Sequence, residues 1–239
     1  MRARDIYART ARTYWRRGWY LLLLGIAVFV PLGLLEALAD SAPEIEVSSL
    51  GELADIGKDA LILGLMAQSF TSLLGDVFYS GAVGLALKRG ERSKPPTLGT
   101  VARHLSYGRL IAVDLLIGLG TAVGLVALIV PGVVFFTWFA LAGPIVELEG
   151  IGVRAAFARS RRLVRGHFWR VLIVLVPIAV ASELLSTASL QVVHDAIHAP
   201  LLGDWVGEAA TNILLSPFYA VAAVLITLEL SRRDRQGSE

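Results

Sequence analysis

The chain has 239 residues, 55% hydrophobic and only 18% charged, with a mean hydropathy of +0.65. A soluble domain runs at about 45–50% apolar and about 25% charged and still has to clothe itself in polar surface, so this composition excludes a single soluble globule and points to an integral membrane protein. Cysteine is absent, which removes disulfides, thiolate nucleophiles and Cys-based metal sites, and the net charge of +2 says little by itself.

The placement of the charges says more. All 22 Lys and Arg except Lys58 fall in four clusters, within 2–17, 88–109, 154–170 and 232–235. Between them lie the blocks 18–87, 110–153 and 171–231, free of Lys and Arg apart from Lys58. A membrane helix needs about 20 apolar residues to cross about 30 Å of hydrocarbon. Each block has room for two crossings and a break near its middle: the acidic stretch from Asp40 to Asp59, the tight-turn dipeptide Pro131-Gly132, and the stretch from His194 to Glu208.

In chain order this predicts six helices near 19–39, 60–87, 110–130, 133–149, 170–191 and 208–230. The fold class is all-α: a polytopic bundle of three hairpins forming one domain over 1–231, with a short tail at 232–239. Short loops rich in Lys and Arg stay cytoplasmic, so both termini and the short basic helices are expected on the cytoplasmic face. The first helix has a rival reading as a signal peptide cleaved after Ala37-Leu38-Ala39. The apolar run from Trp19 to Leu35 is longer than such a core, and Trp19 and Tyr20 sit where interfacial anchors belong.

The three large basic clusters resemble one another. Each ends in a glycine (Gly18, Gly108, Gly166) before the next span, and a glycine just past a helix end is the expected left-handed cap. In the third cluster Val153, Ala156, Phe157, Ser160, Leu163 and Val164 share one helical face, opposite Arg154, Arg161, Arg162 and Arg165. Such a helix, continuous with spans, is expected at the level of the lipid headgroups. Candidate contacts to anionic headgroups or a partner are Arg103, Arg154, Arg159, Arg161, Arg162, Arg165 and Arg170. A nucleic-acid partner is not expected, because the positive charge is split among short loops pinned to a membrane.

Polar residues stripe the spans. Gln68, Ser72, Asp76 and Tyr79 share a face of the second, Asp114 and Thr121 of the third, and Asn212, Ser216 and Tyr219 of the sixth, while Glu183 stands in the fifth. These residues are candidates for an intramembrane polar path, since a carboxylate in hydrocarbon must pair, meet water or stay protonated. The competing reading is hydrogen bonding between packed helices. Glu147 and Glu149 close the fourth span within reach of Arg154, as an ion-pair hinge, and Gly120-x-x-x-Gly124 permits close helix approach. The pair His194 and His198 lacks a third ligand or general base, so no metal site and no cofactor is expected. Phosphate loops and nucleophile elbows are absent.

Residues 127–171 are similar to the membrane-domain family named after glycerophosphoryl diester phosphodiesterases. The residues that carry the resemblance are Pro131, Gly132, Pro144, Glu147, Glu149, Gly150, Ala158, Arg159, Ser160, Leu163, Gly166 and Arg170. The resemblance implies a stand-alone, six-helix membrane domain of a bacterial inner membrane. The phosphodiesterase barrel and its metal-binding set have no counterpart here, so the enzymatic activity is not expected to transfer. The expected function is a non-enzymatic, lipid-associated or complex-accessory role. The alternative is a small transporter or permease for a lipid or small solute, using a path near Asp76 and Glu183.

Overall fold

The computed structural model describes residues 3–40, 76–90, 97–196 and 200–236, with side chains in most of that length. The acidic stretch after Asp40 and the expected second span before Asp76 lie outside the described residues. Every regular element described is helical: α1 (Ala3–Asp40), α2 (Asp76–Gly90), α3 (Leu98–His104), α4 (Tyr107–Ala127), α5 (Ile129–Phe139), α6 (Ala142–Glu149), α7 (Val153–Arg165), α8 (Phe168–Ala196) and α9 (Pro200–Gln236).

Two segments among the described residues are long and apolar enough to cross a membrane, Val130–Glu149 and Asn212–Gln236. A third is formed if α7 and the first half of α8, bent by 109° at their junction, count as one. Large apolar side chains also point outward. On α4, Ile111, Leu115 and Leu119 recur every four residues along one exposed face, and Val180 and Leu184 do so on α8. An outward apolar stripe on a helix whose other face is already packed is expected where the surrounding medium is hydrocarbon.

Proline decides where the helices break. Pro131 and Pro144 cannot donate to the carbonyl four residues back, and their rings crowd it. Each therefore sits in the first turn of a new helix, where its missing N–H is one of the unpaired donors anyway. The tight turn expected at Pro131-Gly132 is thus displaced to Leu128, whose extended backbone (φ −171°, ψ 145°) separates α4 from α5. The expected span 133–149 is divided at Ala140 and Leu141 into α5 and α6. Pro177 and Pro217, by contrast, stay inside α8 and α9. The break expected from His194 to Glu208 is shorter than predicted, since α8 runs to Ala196 and α9 begins at Pro200.

The glycine caps also depart from expectation. Gly18 lies inside α1, beside a kink at Arg17 (φ −122°, ψ 15°). Gly108 falls in the first turn of α4, and Gly166 ends α7 with right-handed angles. Among the described residues only Gly150 takes a positive φ, +70°, and it closes α6. The 100°-scale turn from α7 to α8 needs no left-handed residue.

Small residues bring the helices together. A Cβ on Gly124 would stand 2.7 Å from the Gly132 Cα, and one on Gly120 would strike the Phe135 ring, so α4 and α5 fold back on each other in contact. Gly143 presses in the same way on the Val77 carbonyl, seating α6 on α2. The core has two parts. One gathers Leu110, Ile117, Ile145, Val164, Leu175 and Tyr219 from α4 and α6 through α9; the other gathers Leu21, Tyr79, Val83, Val101 and Val221 from α1, α2, α3 and α9.

Gly124→Leu should therefore destabilise the detergent-solubilised protein by about 1–3 kcal/mol of overpacking, read as a lower thermal unfolding temperature. Gly166→Ala, whose Cβ meets nothing within 4 Å, should stay within about 0.5 kcal/mol. Equal melting of the two variants would rule out the close α4–α5 approach.

Candidate functional site

The chemistry of the described chain concentrates at the end of α6. This helix is buried over Ala142–Glu147, and the last carbonyls of a helix have no partner inside it. Gly150 turns the chain left-handed, and its N–H donates to the Val146 carbonyl at 2.9 Å. Lys88 from the end of α2 reaches over and donates to the carbonyls of Glu147 and Leu148. Arg109 of α4 donates to the carbonyls of Gly150 (3.3 Å) and Ile151 (3.4 Å). Two cations at a helix C-terminus also complement its dipole.

The two carboxylates of Glu147-Leu148-Glu149 then join further helices. Glu147 accepts the backbone N–H of Ser106, at the start of α4, at 2.9 Å. Glu149 accepts from Arg159 Nε of α7 at 3.2 Å and from Ser231 Oγ of α9 at 3.1 Å. Arg159 pairs in addition with Asp234. Burial by itself would lower the Arg159 pKa, but the hydrogen bonds and charges of Asp234 and Glu149 outweigh it and raise it. The hydrogen bond from Arg159 holds the Asp234 carboxyl below the usual carboxylate range. The ion-pair hinge expected with Arg154 is thus made with Arg159 instead: Arg154 is exposed, five residues earlier and so about 140° round the helix from Arg159.

That pairing sorts the candidate arginines. With Arg159 drawn inward, Ala156, Ser160, Leu163 and Val164 are buried and Arg161, Arg162 and Arg165 are exposed. Ser160 donates to the Trp138 carbonyl at 2.7 Å, and the Arg161 guanidinium stands over the Trp138 ring, 4.7 Å from its centre. Arg161, Arg162 and Arg165 together with Trp138 and Ala158 line a cavity of about 550 Å³. A cation held over an indole beside two more cations concentrates positive charge on this surface. Arg170 is half-buried near His167, where burial first and then the Arg170 charge lower the imidazole pKa. Arg103 is exposed on α3, apart from this cavity.

The polar stripes are divided by the fold. Gln68 and Ser72 lie outside the described residues, as does the side chain of Glu183. Tyr79 is wholly buried and donates to the Leu21 carbonyl at 2.7 Å, which is a packing role. Asn212 is half-buried, and Ser216 and Thr121 are buried. Asp76 opens α2, and Asp114 is 3% exposed. Both carboxylates lie close enough to act electrostatically on the buried hydroxyl of Tyr219, which has no hydrogen-bond partner among the described residues. Asp76, Asp114 and Tyr219 are therefore brought together. No group of three or more His, Cys, Asp or Glu placed to hold a metal occurs among the described residues.

Residues 17–229 match the family model described as a domain of unknown function, DUF7847. The chain belongs to that family. No curated protein and no solved structure matches it. The matched length takes in α2 through α8 whole, so the α6 terminus, the α7 cavity and the Asp76–Asp114–Tyr219 group all belong to the family domain.

The roles of Lys88, Arg109, Ser106 and Ser231 have no local signal, because their partners lie about 40 to 80 residues away in the chain. Glu-Leu-Glu-Gly ending an apolar run does read as a glycine-capped helix end.

Glu149→Ala should destabilise the protein by about 2–3 kcal/mol, between the cost of an exposed and a buried broken pair. Its effect in an Arg159→Ala background should be much smaller, as a double-mutant cycle would measure. Because the folded pKa of Asp234 is depressed, its contribution is complete above about pH 3.9 and is lost as the pH falls through the lower folded value. Asp234→Asn should lower the melting temperature at pH 7, and the difference from wild type should vanish in acid.

Proposed function

We propose that this protein is an integral membrane protein of six transmembrane helices in three hairpins, with both termini and the basic junctions on the cytoplasmic side of the inner membrane. It has a non-enzymatic, lipid-associated or complex-accessory role and docks on anionic lipid headgroups. The observation that carries this reading is the cavity of Arg161, Arg162, Arg165 and Trp138 on a helix that turns 109° into α8. A helix at right angles to a span lies along the membrane surface, with its buried face on the bundle and its arginines at headgroup depth. Tryptophan is at home at that depth. The resemblance of residues 127–171 to glycerophosphoryl diester phosphodiesterase membrane domains supports the same architecture and brings no activity with it.

The test is binding of short-chain phosphatidylglycerol to the detergent-solubilised protein. Each cation near an anionic surface contributes about 1 kcal/mol, so the triple variant Arg161→Gln/Arg162→Gln/Arg165→Gln should raise Kd on the order of 100-fold. Binding of the zwitterionic phosphatidylcholine analogue should not change. An unchanged Kd for phosphatidylglycerol sinks the headgroup reading.

A second reading, a small transporter or permease, is favoured by the convergence of Asp76 and Asp114 on Tyr219. Its polar path would run through these groups, with Glu183 as the other candidate. On this reading proteoliposomes show proton-coupled solute uptake that Asp76→Asn abolishes. Uptake that survives Asp76→Asn, or no uptake at all by the wild-type protein, removes it.

A further inference from the structure

A second cavity, of about 590 Å³, opens between α1, α2, α3 and α4. Its size is that of a site for a small organic molecule, and its walls are apolar: Leu24, Val28, Phe78, Ala82, Ala102 and Ile111. Asp114, 3% exposed, is the one charged side chain among the described lining residues. Tyr107 and Ile111 on its rim are about half exposed, and Ile111 begins the outward apolar row of α4. The groove is thus continuous with the face read above as facing hydrocarbon, and an apolar space open to a bilayer fills with lipid chain.

The rim at the basic end is α3, which is capped by Thr97 and pinned to α2 and the core through the buried Val101. Beside the groove-lining Ala102 and Leu105 stand the exposed Arg103 and His104. Arg103 has no carboxylate at ion-pair distance among the described residues, whereas its neighbour Arg109 is committed to the end of α6. From Tyr107 at the rim to Asp114 the groove descends seven residues of α4, about 10 Å at 1.5 Å per residue. An exposed cation on the helix that walls the groove, and the hydrocarbon lining beside it, match the two ends of one amphiphile.

We propose that this groove holds an acyl chain of a membrane phospholipid, with the phosphate against Arg103. The site rests on the membrane reading above only in taking α4 to lie in hydrocarbon; it does not depend on the α7 cavity. Free phosphate has no counterpart for the apolar walls, and a free fatty acid would bring a carboxylate in place of the phosphate.

The test is native mass spectrometry of the protein extracted from membranes in mild detergent. The wild-type protein should carry one phospholipid per chain, identified by mass. Gly99→Leu/Ala102→Trp fills the groove from α3: Gly99 has open space around its Cβ, and Ala102 is exposed, so neither side chain enters the core. Bound phospholipid should fall about tenfold, with the melting temperature of the lipid-free protein unchanged. Arg103→Gln should keep the chain site and lose preference for phosphate-bearing lipid over fatty acid. Retention in the double variant equal to wild type, a wild-type protein without lipid, or a bound species lacking phosphate each overturns the proposal. The Arg161→Gln/Arg162→Gln/Arg165→Gln variant should retain the groove lipid. If it binds phosphatidylglycerol as wild type does while the groove variant loses its lipid, the headgroup reading falls and the groove stands; the reverse pattern spares the headgroup reading alone.

Discussion

The end of α6 delivers its last carbonyls and two carboxylates to a place where α2, α4, α7 and α9 converge, and in a low-dielectric bundle groups of this kind must find partners. Lys88 and Arg109 take the carbonyls, Ser106 takes Glu147, and Arg159 with Ser231 takes Glu149. The partners come from four other helices, Ser106 and Arg109 both from the start of α4, so satisfying one helix end sets the mutual position of the others. Removing a member leaves buried polar atoms behind, which is costlier than the bond itself is favourable. This junction is where the bundle acquires a unique arrangement rather than merely an apolar interior.

The junction has a consequence for the surface. Arg159 points inward because Glu149 and Asp234 hold it, and the period of the helix then turns Arg161, Arg162 and Arg165 outward against Trp138. The cluster is thereby divided into a structural cation, Arg159, and an exposed set, Arg161, Arg162 and Arg165. Close helix contacts supply the second constraint. Gly124 on Gly132 and Gly143 on Val77 allow backbone-to-backbone approach, which in a membrane replaces the hydrophobic drive that lipid cannot provide.

Much of the helical plan was legible along the chain. Where they are described, the apolar blocks between arginine clusters do become helices, and the amphipathic face of α7 is the one that a helical wheel of Val153 to Val164 indicates. Break positions were less legible. Pro131 announces a break, but it stands inside the new helix, since its missing N–H costs nothing in a first turn; the extended residue is Leu128. Gly18, Gly108 and Gly166 look like left-handed caps and are not, while Gly150, which was read only as part of a resemblance, is the one described residue with positive φ. Glycine permits that conformation and does not require it.

What the sequence by itself determined is the all-helical character, the segregation of charge to the ends of apolar segments, and the amphipathic design of α7. These follow from composition and from periodicities of a few residues, which are local properties. Only the tertiary structure decided that Glu149 pairs with Arg159 rather than Arg154, that Lys88 and Arg109 cap α6, and that Arg103 is exposed on a helix that walls an apolar groove. Those outcomes depend on which helices touch and at what rotation. A rotation of 100° per residue carries a side chain from the core to the surface, so the partner of a charge is set by packing between elements distant in the chain and not by its neighbours within it.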